Sequence, residues 1–253
     1  MLVAALSEAG FEGFEEGDGN LKGFIPAAAF DEVAVRQIAE QLRTGFTHSF
    51  IRDTNWNAVW ESNFEPVVVD DFVGLRADFH PPVSGVDQEI VITPKMSFGT
   101  GHHATTYMMI RQMRDISFAG KTVFDFGTGT GILAILAERL GATDILAIDN
   151  DDWSISNTTE NLERNQCSRV RAEKAETVPA RDQFDIILAN INKNVILENM
   201  QALAAQLAPE GTLLLSGLLA EDEADIMAAA EARSLHLTRK EERNGWICLR
   251  LNR

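Results

Sequence analysis

Residues 123–135 read VFDFGTGTGILAI, an apolar run, glycines at 127, 129 and 131, and a second apolar run. The first run has the make-up of a buried strand and the second that of a buried helix, so the glycines form the turn between them. Glycine tolerates positive φ and leaves bare backbone for a ligand to lie on, while the helix start behind it offers unsatisfied N–H groups. A dinucleotide fingerprint needs GxGxxG, but the sixth position from Gly127 is Ile132 and the spacing here is GxGxG. Nor do these glycines lead into the GKS or GKT of a phosphate-cradling P-loop, since Gly120-Lys121-Thr122 stands ahead of the strand. The plainer alternative is a tight strand-to-helix turn with no ligand, and the surrounding chain decides between the two.

Downstream, strand and helix patterns alternate. KTVFDFG predicts a strand, GILAILAERLGA a helix ending at Gly141, TDILAIDN a strand and DWSISNTTENLERNQ a helix. A short strand around VRAEKA, the strand FDIILANI, the helix VILENMQALAAQLAPEG and the strand TLLLSGLL continue the series. Strands separated by helices of this length imply a parallel, doubly wound α/β sheet. Residues 234–251 differ: two strands are joined by Asn244-Gly245, a dipeptide suited to a type I′ hairpin turn.

Two polar residues sit where such sheets bind ligands, at the carboxyl ends of strands. Asp149 ends TDILAIDN, twenty-two residues beyond Gly127, where a carboxylate accepts hydrogen bonds from a ribose diol. On its own it reads more readily as a turn or cap residue, because Asn150, Asp151 and Asp152 crowd the same loop, and its pairing with the glycine loop reverses that reading. Asn190 follows the apolar run of FDIILANI, and its amide has both a donor and an acceptor to orient a substrate amine or a cofactor carboxylate; its other reading is a cap for the next helix.

Upstream, residues 1–53 read as a small αββαβ unit. It has a helix from Leu2 to Ala9, the strand FEGFEE, a GDGN turn, the strand LKGFIP, an amphipathic helix from Phe30 to Leu42 and a strand in FTHSFIRD. One more strand in front would complete a split βαβ sandwich of ferredoxin type. Trp56, Trp60 and Phe64 recur at helical spacing and read as a core or interdomain stripe. From residue 65 to 92, VVVDDF, VGLRADF and EIVIT, broken by PPVSG, predict a strand-rich bridge. The expected division is therefore 1–53, a small α+β domain; 54–92, a linker helix and bridge; and 93–253, the large α/β domain.

Composition narrows the classes. With 253 residues, 45% of them apolar, the chain has material for a large core. It has no apolar run of membrane-spanning length and no basic segment ahead of an apolar one at its start, so neither a membrane span nor a signal peptide is expected and the reading is cytoplasmic. Cys167 and Cys248 lie far apart and form no metal-binding spacing. A net charge of −16 opposes nucleic acid and favours basic partners, although acidity also serves solubility alone. The adjacent His102 and His103 do not read as a metal pair: neighbouring side chains in an extended loop diverge, and neither has a nearby HxxxH, HxH or cysteine partner. His102 is expected to order the loop or contact a cofactor, while for His103 a solvated place is an equal reading.

The glycine loop, the acidic residue ending the second strand and Asn190, with the terminal hairpin, resemble class I S-adenosylmethionine-dependent methyltransferases. ITPKMSFGTGHHATT, DFGTGTGILAI, AIDND, ANINKN and NWNAVWESNFEP together closely resemble the methyltransferases that modify large-subunit ribosomal protein L11. That resemblance implies a Rossmann-like methyltransferase sheet ending in an antiparallel hairpin, preceded by a ferredoxin-like domain lacking its first strand. It further implies S-adenosylmethionine as cofactor, with Thr106, Gly127, Thr128, Gly129, Asp149 and Asn190 as contacts and Phe98, Gly99, Thr100 and Gly101 in the loop that closes over it. The implied reaction is methyl transfer to lysine ε-amines and the N-terminal α-amine of L11, with Asn190 as the catalytic residue, by a monomer that binds neither nucleic acid nor membrane. Two features depart from the family pattern: HHATT stands where many relatives have THPTT, and the chain starts at what reads as the first helix of the small domain, which exposes substrate affinity most.

Two rivals stay open. One is a methyltransferase of the same fold acting on a nucleic acid, a small molecule or another protein; base-modifying relatives carry Asn-Pro-Pro-aromatic where this chain has Asn190-Ile191-Asn192-Lys193. The other is a non-catalytic cofactor-binding protein.

Overall fold

The computed structural model describes residues 2–17, 19–51, 64–95, 99, 101–178 and 183–253. The chain divides into two units, residues 1–55 and 56–253. In the first, helix α1 (Leu2–Glu8) is followed by an antiparallel hairpin, β1 (Gly13–Gly17) and β2 (Asn20–Phe24), and by helix α2 (Glu32–Gln41). Asp31 caps α2 by accepting hydrogen bonds from the N–H groups of Val33 and Ala34, at 2.8 and 3.2 Å. The small buried set is Leu6, Val35 and Ala39.

The strand expected in FTHSFIRD does not form over residues 46–51; residues 52 and 53 lie outside the described residues. A strand needs a ladder partner for its backbone groups, and here ring contacts hold the segment instead. His48 lies 4.8 Å from the Phe30 ring and 6.1 Å from that of Phe50, while Phe50 and Ile51 are exposed.

In the second unit the bridge forms its own three-stranded sheet, β3 (Val67–Val69), β4 (Val73–Ala77) and β5 (Gln88–Ile92), with β3/β4 antiparallel and β4/β5 parallel. There follow α3 (Ala104–Met113), β6 (Thr122–Phe126), α4 (Ile132–Arg139), β7 (Asp144–Asp149), α5 (Asp152–Arg164), β8 (Val170–Lys174) and β9 (Phe184–Asn190). Then come α6 (Lys193–Gln206), β10 (Leu207–Leu219), α7 (Glu223–Glu231), β11 (His236–Arg243) and β12 (Trp246–Asn252). These strands make one sheet in the order β11-β12-β10-β9-β6-β7-β8. All neighbours from β10 to β8 are parallel, and β12 runs antiparallel to both β10 and β11.

Strand residues alternate between two cores because side chains alternate across a pleat. Val123, Ile145, Ile186 and Leu214 face one cluster, built with α3, α4 and the apolar side of β3–β5. Phe124, Leu146, Ile187 and Leu213 face the other, built with Ile196, Met200 and Leu203 of α6 and Ile226 of α7. Both faces are covered, as a sheet with parallel crossovers requires.

The helix read through VILENMQALAAQLAPEG stops at Gln206, and β10 begins at Leu207 with an irregular register up to Thr212. Pro209 is the physical cause, since proline disfavours helical backbone in the residue before it. Helix α7 was not foreseen; its inward face carries just Ile226 and Ala230 as buried residues, too thin a stripe to stand out. The hairpin turn forms at Asn244-Gly245, with φ of 54° and 78° and Arg243 paired to Trp246, as a type I′ turn requires.

Candidate active site

The glycine loop between β6 and α4 is held on every side by the chain itself. The N–H groups of Gly127 and Thr128 both donate to the Ile148 carbonyl of β7, at 2.9 Å each. From α5, Thr158 Oγ1 donates to the Gly129 carbonyl at 2.8 Å, and Asn161 Nδ2 to that of Thr130 at 2.8 Å. Asn161 also accepts from the Thr93 N–H at 2.7 Å, tying the segment that leads toward residue 99 to the same helix. Thr130 Oγ1 donates to the Gly99 carbonyl at 2.9 Å. A loop whose polar groups are satisfied in one arrangement is organised before any ligand arrives.

Two glycines mark a close approach to Ile191. Gly127 has φ of 77°, and a Cβ there would stand 2.2 Å from Ile191 Cγ2. At Gly217 of β10, a Cβ would stand 2.3 Å from the Ile191 carbonyl oxygen. Both positions need bare backbone, so the floor of the site at β6, β9 and β10 is fixed by absent side chains.

Asp149 accepts hydrogen bonds from the Gly129 N–H at 2.9 Å and the Asp151 N–H at 3.1 Å. Asn190, 7% exposed, donates from Nδ2 to Thr106 Oγ1 at 3.3 Å, and its Oδ1 has no hydrogen-bond partner among the described residues. Asp125 lies beneath the loop, 1% exposed, accepting from Thr128 Oγ1 at 2.6 Å, while its Oδ1 is unpartnered among the described residues. Burial pushes the Asp125 carboxyl up to about 7; the Thr128 hydrogen bond opposes the rise, the nearby Asp149 charge adds to it, and the Ala134 backbone opposes it more weakly.

These groups meet around a cleft of about 470 Å³ at the carboxyl edge of the sheet, a size suited to a cofactor. Asp149, Asn150, Ser154 and Glu176 line its β7/β8 end. Gly127 and Gly129 line its middle, and Asn190, Asn192, Gly217, His103 and Trp246 line its far end. A smaller recess lined by Gly99, Thr106, Thr128 and Thr130 shares Gly127 and Asn190 with it. The residues expected from the sequence at Gly99, Thr106, Gly127, Thr128, Gly129, Asp149 and Asn190 are thus brought together. Phe98 and Thr100 lie outside the described residues, as do Trp56 and Trp60 of the aromatic stripe.

The two adjacent histidines take separate places. His102 is exposed and sets its ring edge-on to Phe64, 4.9 Å away, and it is not among the residues lining the cleft. His103 lines the cleft instead, and it caps α3 with Nδ1 accepting from the Thr105 N–H at 3.4 Å and lying 2.7 Å from Thr105 Oγ1. The extended backbone of a cap residue turns that side chain back over the helix start, so its neighbour points elsewhere. Among the described residues there is no group of three His, Cys, Asp or Glu side chains able to hold a metal, and no helix long and apolar enough to cross a membrane.

Sequence reasoning missed Asp125, Trp246 and the loop-bracing Thr158 and Asn161. A lone carboxylate inside TVFDF was a signal for the first; the others become visible only when the chain is folded.

A family model described as Ribosomal protein L11 methyltransferase (PrmA) matches residues 15–253. The chain is 41% identical over 258 residues to the ribosomal protein L11 methyltransferase of Porphyromonas gingivalis, covering 99% of this chain and 89% of the relative. It is 41% identical over 236 residues to that of Chlorobaculum tepidum, covering 88% and 81%. Among solved structures, the ribosomal protein L11 methylase of Lactobacillus delbrueckii subsp. bulgaricus matches with a TM-score of 0.70 and 27% identity, covering 75% of this chain and 99% of that one.

Proposed function

The chain belongs to the ribosomal protein L11 methyltransferase family of S-adenosylmethionine-dependent enzymes, and from that premise we propose that it methylates amino groups of L11, lysine ε-amines and the N-terminal α-amine. The observation that carries this reading is Asn190: a buried amide whose carbonyl oxygen lacks a partner among the described residues, lining the cleft next to the glycine loop. An acceptor so placed calls for an incoming N–H group.

The residues fit the cofactor. Gly127 and Gly129 line the cleft with bare backbone, and Asp149 uses two of a carboxylate's roughly four acceptor positions within the chain, which leaves others for a ribose diol. Thr106, Thr128 and the Gly99 segment are proposed to complete the contacts, with Phe98, Thr100 and His102 in the covering loop. Bound, S-adenosylmethionine supplies a methyl group on a positively charged sulfur. The chain's own work is positioning and drying. A lysine amine has an ordinary pKa of about 10.4 and must lose its proton, to water, before it can attack, which desolvation of the bound amine favours. Asn190 Oδ1 then accepts from the neutral amine, and Thr106 holds the amide's other end so that the oxygen stays aimed. The net charge of −16 supports a basic protein partner over nucleic acid. Action as a monomer in the cytoplasm belongs to the same proposal.

Intact-mass spectrometry of unmethylated L11 incubated with the protein and S-adenosylmethionine tests this. Stepwise additions of one methylene mass each are expected, strongly slowed by Asn190→Ala while cofactor affinity changes little. No mass shift, with cofactor binding verified separately, refutes L11 as the acceptor.

A further inference from the structure

The far end of the cleft carries an aromatic wall. Trp246 lines it together with His103, Asn190 and Gly217, while the proposed ribose contact, Asp149, lies at the other end. Trp246 opens β12 directly after the Asn244-Gly245 turn and is paired on both sides, with Leu219 of β10 and Arg243 of β11. The turn is itself pinned, because the Ala220 N–H donates to the Gly245 carbonyl at 3.0 Å. The indole meets the His103 ring edge to face at 4.7 Å and 73°, and His103 is fixed in turn as the cap of α3. The result is a braced aromatic corner, half-buried and open to the cleft, beside an amide whose acceptor is unused among the described residues.

An indole face attracts an ammonium group and also packs well against an alkyl chain. Lysine offers both, a four-carbon stem and a terminal amine. We propose that Trp246 is the acceptor-specificity residue of this enzyme: its indole, braced by His103, holds the stem and amine of an incoming lysine in line with Asn190. This rests on the amine-methyltransferase reading above and adds to it a residue that touches the substrate and not the cofactor. A Trp246 that only fills space in the hairpin would affect folding and cofactor affinity together with acceptor affinity, so the two roles separate by measurement.

Kinetics of wild type, Trp246→Ala and Trp246→Phe with L11 as acceptor provide the first test. Trp246→Ala should raise KM for the acceptor about tenfold, the scale of a cation–π contact, with cofactor Kd held within about twofold, and Trp246→Phe should restore most of the loss. An unchanged acceptor KM, or a parallel loss of cofactor affinity, overturns the assignment. A second test does not depend on L11. The indole N–H resonance of Trp246, assigned by its loss in Trp246→Phe, is followed while n-butylammonium is added to the protein saturated with S-adenosylhomocysteine. A saturable shift supports the wall even if L11 is never methylated, in which case the macromolecular acceptor alone is wrong; no shift overturns the proposal.

Discussion

Replacing Asp125 by Asn should change how stability depends on pH more than it changes stability at any one pH. The carboxyl lies fully inside the sheet edge with one oxygen bonded to Thr128 and the other unpartnered among the described residues, and burial raises it from 3.8 to about 7. Between these values the folded chain keeps a proton that the unfolded chain has lost. Folded protein therefore binds more protons, and stability must fall as pH rises across that window, flattening once the folded carboxyl also ionises. At about 1.4 kcal/mol per pH unit, the full rise corresponds to about 4 kcal/mol. Asn keeps the shape and an acceptor for Thr128 but cannot ionise. Its new amide hydrogens add a cost of about 1–3 kcal/mol that does not vary with pH. Urea unfolding of cofactor-free wild type and Asp125→Asn, from pH 4.5 to pH 8, should show the stability difference moving in favour of the variant by several kcal/mol. The other carboxylates titrate in both proteins and cancel. A difference that stays constant within about 0.5 kcal/mol across the range would refute the reasoning, because it would mean that the buried carboxyl ionises at its ordinary pH.

Three further perturbations follow from the same loop. Asp149→Ala should weaken S-adenosylmethionine binding by about 10- to 100-fold, the scale of hydrogen bonds to a charged acceptor, as read by calorimetric titration. Gly127→Ala drives a Cβ to 2.2 Å from Ile191 Cγ2 at φ of 77°, so urea unfolding should show a loss of about 2–4 kcal/mol; a neutral outcome would mean that Ile191 moves aside freely. Asn161→Ala strands the Thr130 carbonyl and the Thr93 N–H at once and should cost about 2–3 kcal/mol, with cofactor affinity falling as the loop loosens.

Apart from α7, the order of strands and helices after residue 118 was legible because apolar periodicity and glycine punctuation repeat there with little ambiguity. Asp149 and Asn190 were legible because each ends an apolar strand, and a strand's carboxyl end is where such sheets bind ligands. The residues that brace the loop were not. Thr158 and Asn161 sit in a helix of polar composition, and nothing in DWSISNTTENLER separates an inward-facing amide from a solvated one. Histidines 102 and 103 could not be told apart, because which of two neighbours turns inward depends on where the helix cap falls. The strand expected in FTHSFIRD failed for a non-local reason: its alternation was genuine, but a strand exists only with a partner. The hairpin around Trp246 was legible, but its place at the cleft was not, since that is set by Leu219 of β10 and His103, far away in the chain.

The position of β12 has a consequence for the order in which the protein is completed during synthesis. The strands of residues 122–219 can pair in the sequence in which they emerge, each crossover closing on what precedes it. Strand β12, by contrast, must enter between β10 and β11, after both have been made. Domains generally fold as units as the chain emerges, at about 5–20 residues per second. A nascent chain that has exposed β10 but not residues 236–252 therefore already owns the glycine loop, Asp149 and Asn190, yet lacks both a neighbour for the apolar edge of β10 and the indole at the cleft's far end. During that interval of a second or more the half-finished sheet has an open, leucine-rich margin, and the hairpin that seals it is also the piece that brings Trp246 to the cleft.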